Sequence, residues 1–346
     1  MVGIADVARA AGVSKATASR ALTGSGYVSD STRERVLQTA ASLGYVASTA
    51  AVSLATGKTQ NVGVVMPYIS RWFFAEVLEG IQDALLRHGY DLTLYDARPG
   101  TDGRRRVFED FLARKRFDGL IAVGLEPSDN ELERLIAVGR PLVSVVGPSS
   151  DTSTIGLDDL HAARRATEHL VELGHTRIAF VGGGGQHWAH VDHMRLVGYQ
   201  QTMADAGLAP MHVFSPVSLP GGYAAAVDLL GDVRRRPTGI VGTCDEVAIG
   251  AIIAARRLGL PVPSSLSVVG IDNHEYADMF SLTTLEQQPH AQGTQAAEML
   301  LRQLREPNTP IIELRLHATL IVRNSTAPPT GVPSAAVGAA GATGAG

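Results

Sequence analysis

Ile4-Ala5-Asp6-Val7-Ala8-Arg9-Ala10-Ala11-Gly12-Val13-Ser14-Lys15-Ala16-Thr17-Ala18-Ser19-Arg20-Ala21-Leu22 is the stretch on which the reading of this chain turns. Ile4, Val7, Ala8 and Ala11 recur at i, i+3, i+4 and i+7, which is one face of a short helix. Gly12 ends that helix and Val13 can plug the turn. Ser14 suits the N-cap of a second helix, Lys15–Leu22, that turns Ala18 and Leu22 inward. Thr23-Gly24-Ser25-Gly26 then breaks the chain. Ser29 is expected to cap a third helix carrying Val36, Leu37, Ala40 and Leu43 inward, closed by Gly44 at C′.

Three short helices with a glycine turn between the first two make a helix-turn-helix arrangement. Its second helix would enter the DNA major groove N-terminus first, presenting Lys15, Ala16, Thr17, Ser19 and Arg20. Lys15 and Arg20 can donate to guanine O6 and N7, and Ala16 is short enough to meet a thymine methyl. The hydroxyls of Thr17, Ser19, Ser29 and Thr32 suit phosphate oxygens, which position a protein without specifying sequence. A plain helical bundle with solvated charges would show the same periodicity. Charge separates the two readings in part. The chain carries −4 overall, yet residues 1–60 hold Arg9, Lys15, Arg20, Arg33, Arg35 and Lys58 against Asp6, Asp30 and Glu34. A basic head on an acidic body fits a protein that meets phosphate through one end.

The opening stretch, continued by Val28-Ser29-Asp30-Ser31-Thr32-Arg33-Glu34-Arg35-Val36 and Leu43-Gly44-Tyr45, resembles the DNA-binding signature of the LacI/GalR family without a gap. The resemblance implies a sequence-specific transcription regulator, by default a repressor and not an enzyme. It also implies a homodimer or homotetramer on a pseudo-palindromic double-stranded operator, a small-molecule effector and no cofactor. Residues 46–59 are small and lack a sizeable apolar face, so a helix there would not hold alone. In the family this segment is a hinge helix whose leucine wedges into the minor groove, and Leu54 occupies that position. Ala47, Ser48 and Val52 stand where the family usually has proline, asparagine and arginine, so this hinge departs from the pattern.

From Asn61 onward, short β-branched runs alternate with helical stretches. Val62–Pro67, Leu92–Tyr95, Gly119–Gly124, Leu142–Val146, Ile178–Val181, Thr238–Gly242 and Ser267–Ile271 read as strands. Phe74–Gly89, Arg104–Arg116, Glu131–Gly139, Leu160–Leu173, Arg195–Ala206, Glu246–Leu258 and Gln292–Leu304 read as helices. Such βα repetition predicts an α/β body of parallel sheets, and its length suits two lobes better than one. The predicted organisation is a head over 1–45, a hinge over 46–59, an effector domain over 60–324 and a disordered tail over 325–346.

The resemblance extends through this body, along Val64–Glu79, Glu168–His175, Arg195–Tyr199, Asp245–Ala248, Val268–Asn273 and Leu282–Thr284. It implies a periplasmic-binding-protein-like pair of lobes closing on a ligand. Carried across residue by residue, the effector candidates are Trp72, Phe73, Asp158, Arg195, Asp272 and Gln287, with Cys244 and Asp245 beside them. Carboxylates and arginine can grip paired hydroxyls while an aromatic face covers a sugar ring, so a carbohydrate is the expected effector. Each candidate also has a plainer role: Trp72 as a lobe-interface aromatic, Asp158 and Asp272 as caps or turns, Arg195 in a structural ion pair. Cys244 stands where the family commonly has asparagine, and a thiol is a weak donor. It reads as a small buried hydrophobe, with thiol sensing as the alternative.

Other classes lack their signatures. Cys244 is the only cysteine, which forbids an internal disulfide and disfavours structural zinc. His187, His190 and His193 sit three apart but give weak evidence for a metal. Gly182–Gly185 follows a strand without forming a dinucleotide fingerprint, so a nicotinamide-dependent oxidoreductase is disfavoured. A transporter's solute-binding protein would have a signal peptide where the head stands. No apolar run reaches the ~18 residues of a membrane span, so no membrane partner is expected and a cytoplasmic protein fits.

Overall fold

A computed structural model describes residues 2–24, 26–45, 57–147, 152–183 and 189–330. The head is three helices, α1 (Ile4–Ala10), α2 (Lys15–Thr23) and α3 (Asp30–Ser42). Gly12 takes φ +65°, which lets the Val13 amide reach back to the Ala8 carbonyl at 3.0 Å. Ser14 caps α2 by accepting the Thr17 amide at 3.0 Å. The core is small-residued: Val7, Ala8, Ala11, Ala18, Ala21, Val28, Val36 and Ala40 are buried, ringed by Ile4, Val13, Leu22 and Tyr45. Three expectations need correcting. Leu37 and Leu43 are exposed, because α3 turns only Val36 and Ala40 onto so narrow a core. Ser29 holds the N-cap position, but its hydroxyl bonds the Thr32 hydroxyl at 2.9 Å instead of a backbone amide.

The body contains two six-stranded sheets among the described residues. Lobe 1 is built on β1 (Asn61–Met66), β2 (Asp91–Asp96), β3 (Gly119–Val123), β4 (Leu142–Val145), β5 (Ser153–Leu157) and β11 (Glu313–Leu316). All its pairings are parallel, in the order β11-β5-β4-β3-β1-β2. Lobe 2 is built on β6 (Ile178–Val181), β7 (Met211–Val213), β8 (Gly239–Gly242), β9 (Ser267–Asp272), β10 (Thr283–Glu286) and β12 (Thr319–Ile321). Its order is β12-β10-β9-β8-β6-β7, parallel except for the β10–β12 pair.

The helices are α4 (Trp72–Arg87), α5 (Asp102–Arg106), α6 (Asp129–Ala137), α7 (Asp159–Glu172), α8 (Ala189–Asp205), α9 (Leu219–Gly231), α10 (Asp245–Arg257) and α11 (Pro289–Arg305). The chain passes between lobes at β5–α7, at β10–α11 and at β11–β12. On the return passage, α11 packs on α4 at two facing glycines. A Cβ on Gly80 would run into the His290 carbonyl, and one on Gly293 into the Val77 carbonyl.

Several elements differ from expectation. The helix predicted over Arg104–Arg116 is α for one turn only. It then widens to a π turn at Val107–Phe111 and tightens to 3₁₀ at Leu112–Arg114. Helix α9 has no predicted counterpart, since Pro220-Gly221-Gly222 looks like a turn. Proline serves in its first turn, and Gly222 lets its backbone approach Val247. The predicted disordered tail begins too early. Ser325 is buried, its hydroxyl donating to the Val268 carbonyl at 2.6 Å and accepting the Thr283 amide at 2.8 Å. Residues 325–330 therefore belong to lobe 2, and the rest of that expectation lies outside the described residues.

Candidate functional site

On the head, Lys15, Ala16, Arg20 and Ser29 are exposed, while Thr17, Ser19 and Thr32 are half-buried. The Thr17 hydroxyl already pairs with that of Ser14 at 2.9 Å. The side chains with the freest reach are thus Lys15 and Arg20, on one turn-and-a-half of α2. Leu54 and the rest of 46–56 lie outside the described residues.

In the body, a cleft of about 620 Å³, its open mouth included, lies between the lobes. It forms at the C-terminal ends of the strands, where open α/β sheets leave a crevice. Of the expected effector residues, Trp72, Phe73, Arg195, Cys244, Asp272 and Gln287 line it, and Asp158 and Asp245 do not.

Lobe 1 contributes the N-terminal turn of α4. Trp72 projects across to lobe 2, where its ring stands 4.6 Å from that of His274. Its indole N–H is buried and has no hydrogen-bond partner among the described residues. Arg71 lies over the Tyr68 ring at 4.1 Å.

Lobe 2 contributes the charged floor. Arg195 of α8 sends Nε and Nη2 to Asp159 Oδ1 at 2.8 Å, and Nη1 to the Thr243 carbonyl at 2.6 Å. Beside it, the Thr243 hydroxyl donates to Asp192 Oδ1 at 2.9 Å. Burial lifts the carboxyls of Asp159 and Asp192 above the usual range, although Arg195 pulls both the other way.

At the end of β9, Asp272 takes φ +150° and Asn273 φ +56°, sparsely populated conformations for residues with a Cβ. Gln287 donates its amide to the Asp272 carboxylate in a short contact. Burial, and then the neighbouring Asp245, push Asp272 well above an ordinary carboxylate. Glu246, in the first turn of α10, also lines the cleft, and burial raises it against the pull of Arg71.

Asp158 was expected here and is absent because it is spent locally. Its carboxylate accepts the His161 amide at 3.0 Å as the N-cap of α7, and it borders a separate groove with Glu313 and Arg315. The adjacent Asp159 takes the cleft position. Asp245 sits one layer deeper, accepting the Thr284 hydroxyl at 2.6 Å and the His274 amide at 2.8 Å. Sequence reasoning also missed Asp192, Thr243 and Glu246. For Glu246 a signal existed, since it opens a helix straight after a strand.

Cys244 is buried against the cleft, and burial pushes its thiol up, so it stays protonated and poorly nucleophilic. His190 and His193 fall on α8 and both are exposed; the His190 amide donates to Glu126 across the lobes at 3.0 Å. His187 lies outside the described residues, among which no cluster suited to a metal occurs.

Comparison with known proteins matches both parts. Residues 3–48 fit the bacterial regulatory proteins of the lacI family, and residues 167–326 fit a periplasmic binding protein-like domain. The HTH-type transcriptional repressor PurR of Vibrio campbellii (strain ATCC BAA-1116) is 31% identical over 336 residues, spanning 94% of this chain and 98% of that one. Catabolite control protein A of Priestia megaterium is 31% identical over 335 residues, spanning 94% and 99%. The lac repressor dimer bound to operator and the anti-inducer ONPF superposes with a TM-score of 0.83 at 26% identity, over 94% of this chain and 99% of that one. The regulator CelR in complex with cellobiose gives 0.68 at 26% identity, over 94% and 100%. Identity of 31% sustained along almost the whole of both chains places this protein in the lacI family of bacterial regulatory proteins, as a DNA-binding transcription regulator.

Proposed function

We propose that this regulator is a repressor whose hold on a two-fold-symmetric operator is set by a polyhydroxylated effector, a carbohydrate or carbohydrate derivative, bound between the lobes. The observation that carries the reading is the composition of the cleft. Trp72 and Phe73 offer aromatic surface, while Asp159, Asp192, Arg195 and Asp272 offer paired acceptors and donors. A sugar needs both, its ring hydrogens on an aromatic face and its vicinal hydroxyls on charged groups. Related proteins support it: CelR was solved with cellobiose, and a lacI-family regulator of Enterococcus faecium with ribose.

Lys15, Ala16 and Arg20 read base edges, and Thr17, Ser19, Ser29 and Thr32 hold phosphates. Leu54 would act as a minor-groove wedge from a hinge over 46–59. A homodimer or homotetramer presents two heads to two half-sites, in the cytoplasm where the DNA lies. Among the described residues no helix is long and apolar enough to cross a membrane. The effector shifts DNA affinity only by binding the lobes' two arrangements unequally.

The test is a thermal-shift screen of the full chain against mono- and disaccharides, followed by operator titration with each hit. A ligand held at 100 times its Kd stabilises by about 2.7 kcal/mol, a readily measured shift. The hit should alter operator affinity in the wild type and fail to do so in Asp272→Ala. A response that persists in Asp272→Ala shows that the effector binds elsewhere.

A further inference from the structure

The cleft is charged unevenly. Asp159, Asp192, Glu246 and Asp272 line it against Arg71 and Arg195. Arg195 is committed to Asp159 through two of its nitrogens and to a carbonyl through the third. Arg71 rests on the Tyr68 ring, and its field reaches Glu246 without a hydrogen bond. Among the described residues, the donors to Asp192 and Asp272 are neutral: the Thr243 hydroxyl for the first, the Gln287 amide and the Asp245 backbone for the second. Among the described residues, two arginines thus face four acids, so the lining carries two more carboxylates than cations. Behind them stands Asp245, a further buried acid. Burial lifts the carboxyls of Asp192 and Asp272 above their ordinary range, and the pull of Arg195 on each is too weak to bring them back.

Such a pocket repels a phosphorylated ligand, since a second buried anion adds to a surplus of acid. It favours a cation, which would bond the carboxylates with charge assistance and lie against aromatic surface from Trp72 and Phe73. We propose that the cleft is built for a hydroxylated amine, an amino sugar or aminated polyol whose ammonium sits among Asp192, Glu246 and Asp272. This rests on the polyhydroxylated-effector reading above and narrows it to a charge class.

The experiment is calorimetric titration of the full chain at neutral pH. The probes are glucosamine, galactosamine and mannosamine, each beside its parent hexose and the parent's 6-phosphate. At least one amino sugar should bind about tenfold or more tighter than its parent, and no 6-phosphate should bind. Glu246→Gln and Asp192→Asn, each checked for an intact melting transition, should draw the amine-to-parent ratio towards one. Equal or tighter binding of a parent hexose, or binding of a 6-phosphate, overturns the amine assignment and leaves the carbohydrate reading standing. Silence from every probe overturns the amine assignment, and the broader saccharide screen above then decides the carbohydrate reading on its own.

Discussion

Arg195 and Asp159 form a buried ion pair on the floor of the inter-lobe cleft, with Nε and Nη2 of one both 2.8 Å from Oδ1 of the other. Asp159 opens α7 just after the chain crosses from β5, and Arg195 lies on α8, so the pair ties the crossover to lobe 2. Both side chains are almost wholly excluded from water. Removing one partner of such a pair strands the other charge, which costs about 3–5 kcal/mol. Arg195→Ala should lose stability of that order in urea unfolding. The double variant Arg195→Met with Asp159→Leu should be less destabilised than Arg195→Ala. A single variant close to the wild type would show that the pair is solvated in solution.

The facing glycines of α4 and α11 predict a second effect. A Cβ on Gly293 would collide with the Val77 carbonyl, a backbone atom that cannot swing aside. Gly293→Ala should force the two helices apart and lower the melting temperature by several degrees, at a cost of about 1–3 kcal/mol. Gly89 offers the contrast, because its Cβ would meet open space and only its φ of +71° resists substitution. Gly89→Asn should therefore be tolerated far better, as calorimetry of the two variants would show.

Asp245 predicts a pH dependence. Burial raises its carboxyl from 3.8 to about 6, with the Thr284 hydroxyl and the His274 amide pulling it back. A carboxyl raised in the folded state favours the protonated form, so its contribution is present at low pH and lost as pH rises through about 6. Asp245→Asn cannot titrate. The melting temperature of the wild type minus that of Asp245→Asn should accordingly be larger at pH 5 than at pH 7.5. A difference that is flat, or that grows with pH, would contradict the assignment.

Much of this architecture is legible in residue order, and the exceptions have local causes. The head is readable because Gly12, Ser14 and Gly44 mark its boundaries, and β1, β3, β6, β8 and β9 because buried parallel strands are nearly continuous apolar runs. Strand β11 is hidden in Glu313-Leu314-Arg315-Leu316, an exposed edge whose residues carry no burial signal. The cleft is half legible. Trp72, Phe73 and Asp272 follow strands, where a crevice is expected, but consecutive aspartates at 158 and 159 are indistinguishable until one is seen capping α7. Asp192 and Thr243 find each other across 51 residues of chain, a pairing that spacing does not announce.

Lys15 stands exposed in the first turn of α2, with the freedom to meet a base edge. Lys15→Ala should weaken binding by about 1–3 kcal/mol at particular base pairs and relax the preference there. Competition binding with single-base operator variants measures it. A loss of equal size across all sequences would reassign Lys15 to phosphate.

The central claim, that this chain reads DNA through its head, is most directly tested by selecting bound duplexes from a randomised pool and titrating the winner across salt. The enriched site should have two-fold symmetry, and its log affinity should fall linearly and steeply with log salt concentration, as counterions are released from several phosphates. A pool that yields no enriched sequence, or an affinity indifferent to salt, would contradict the account.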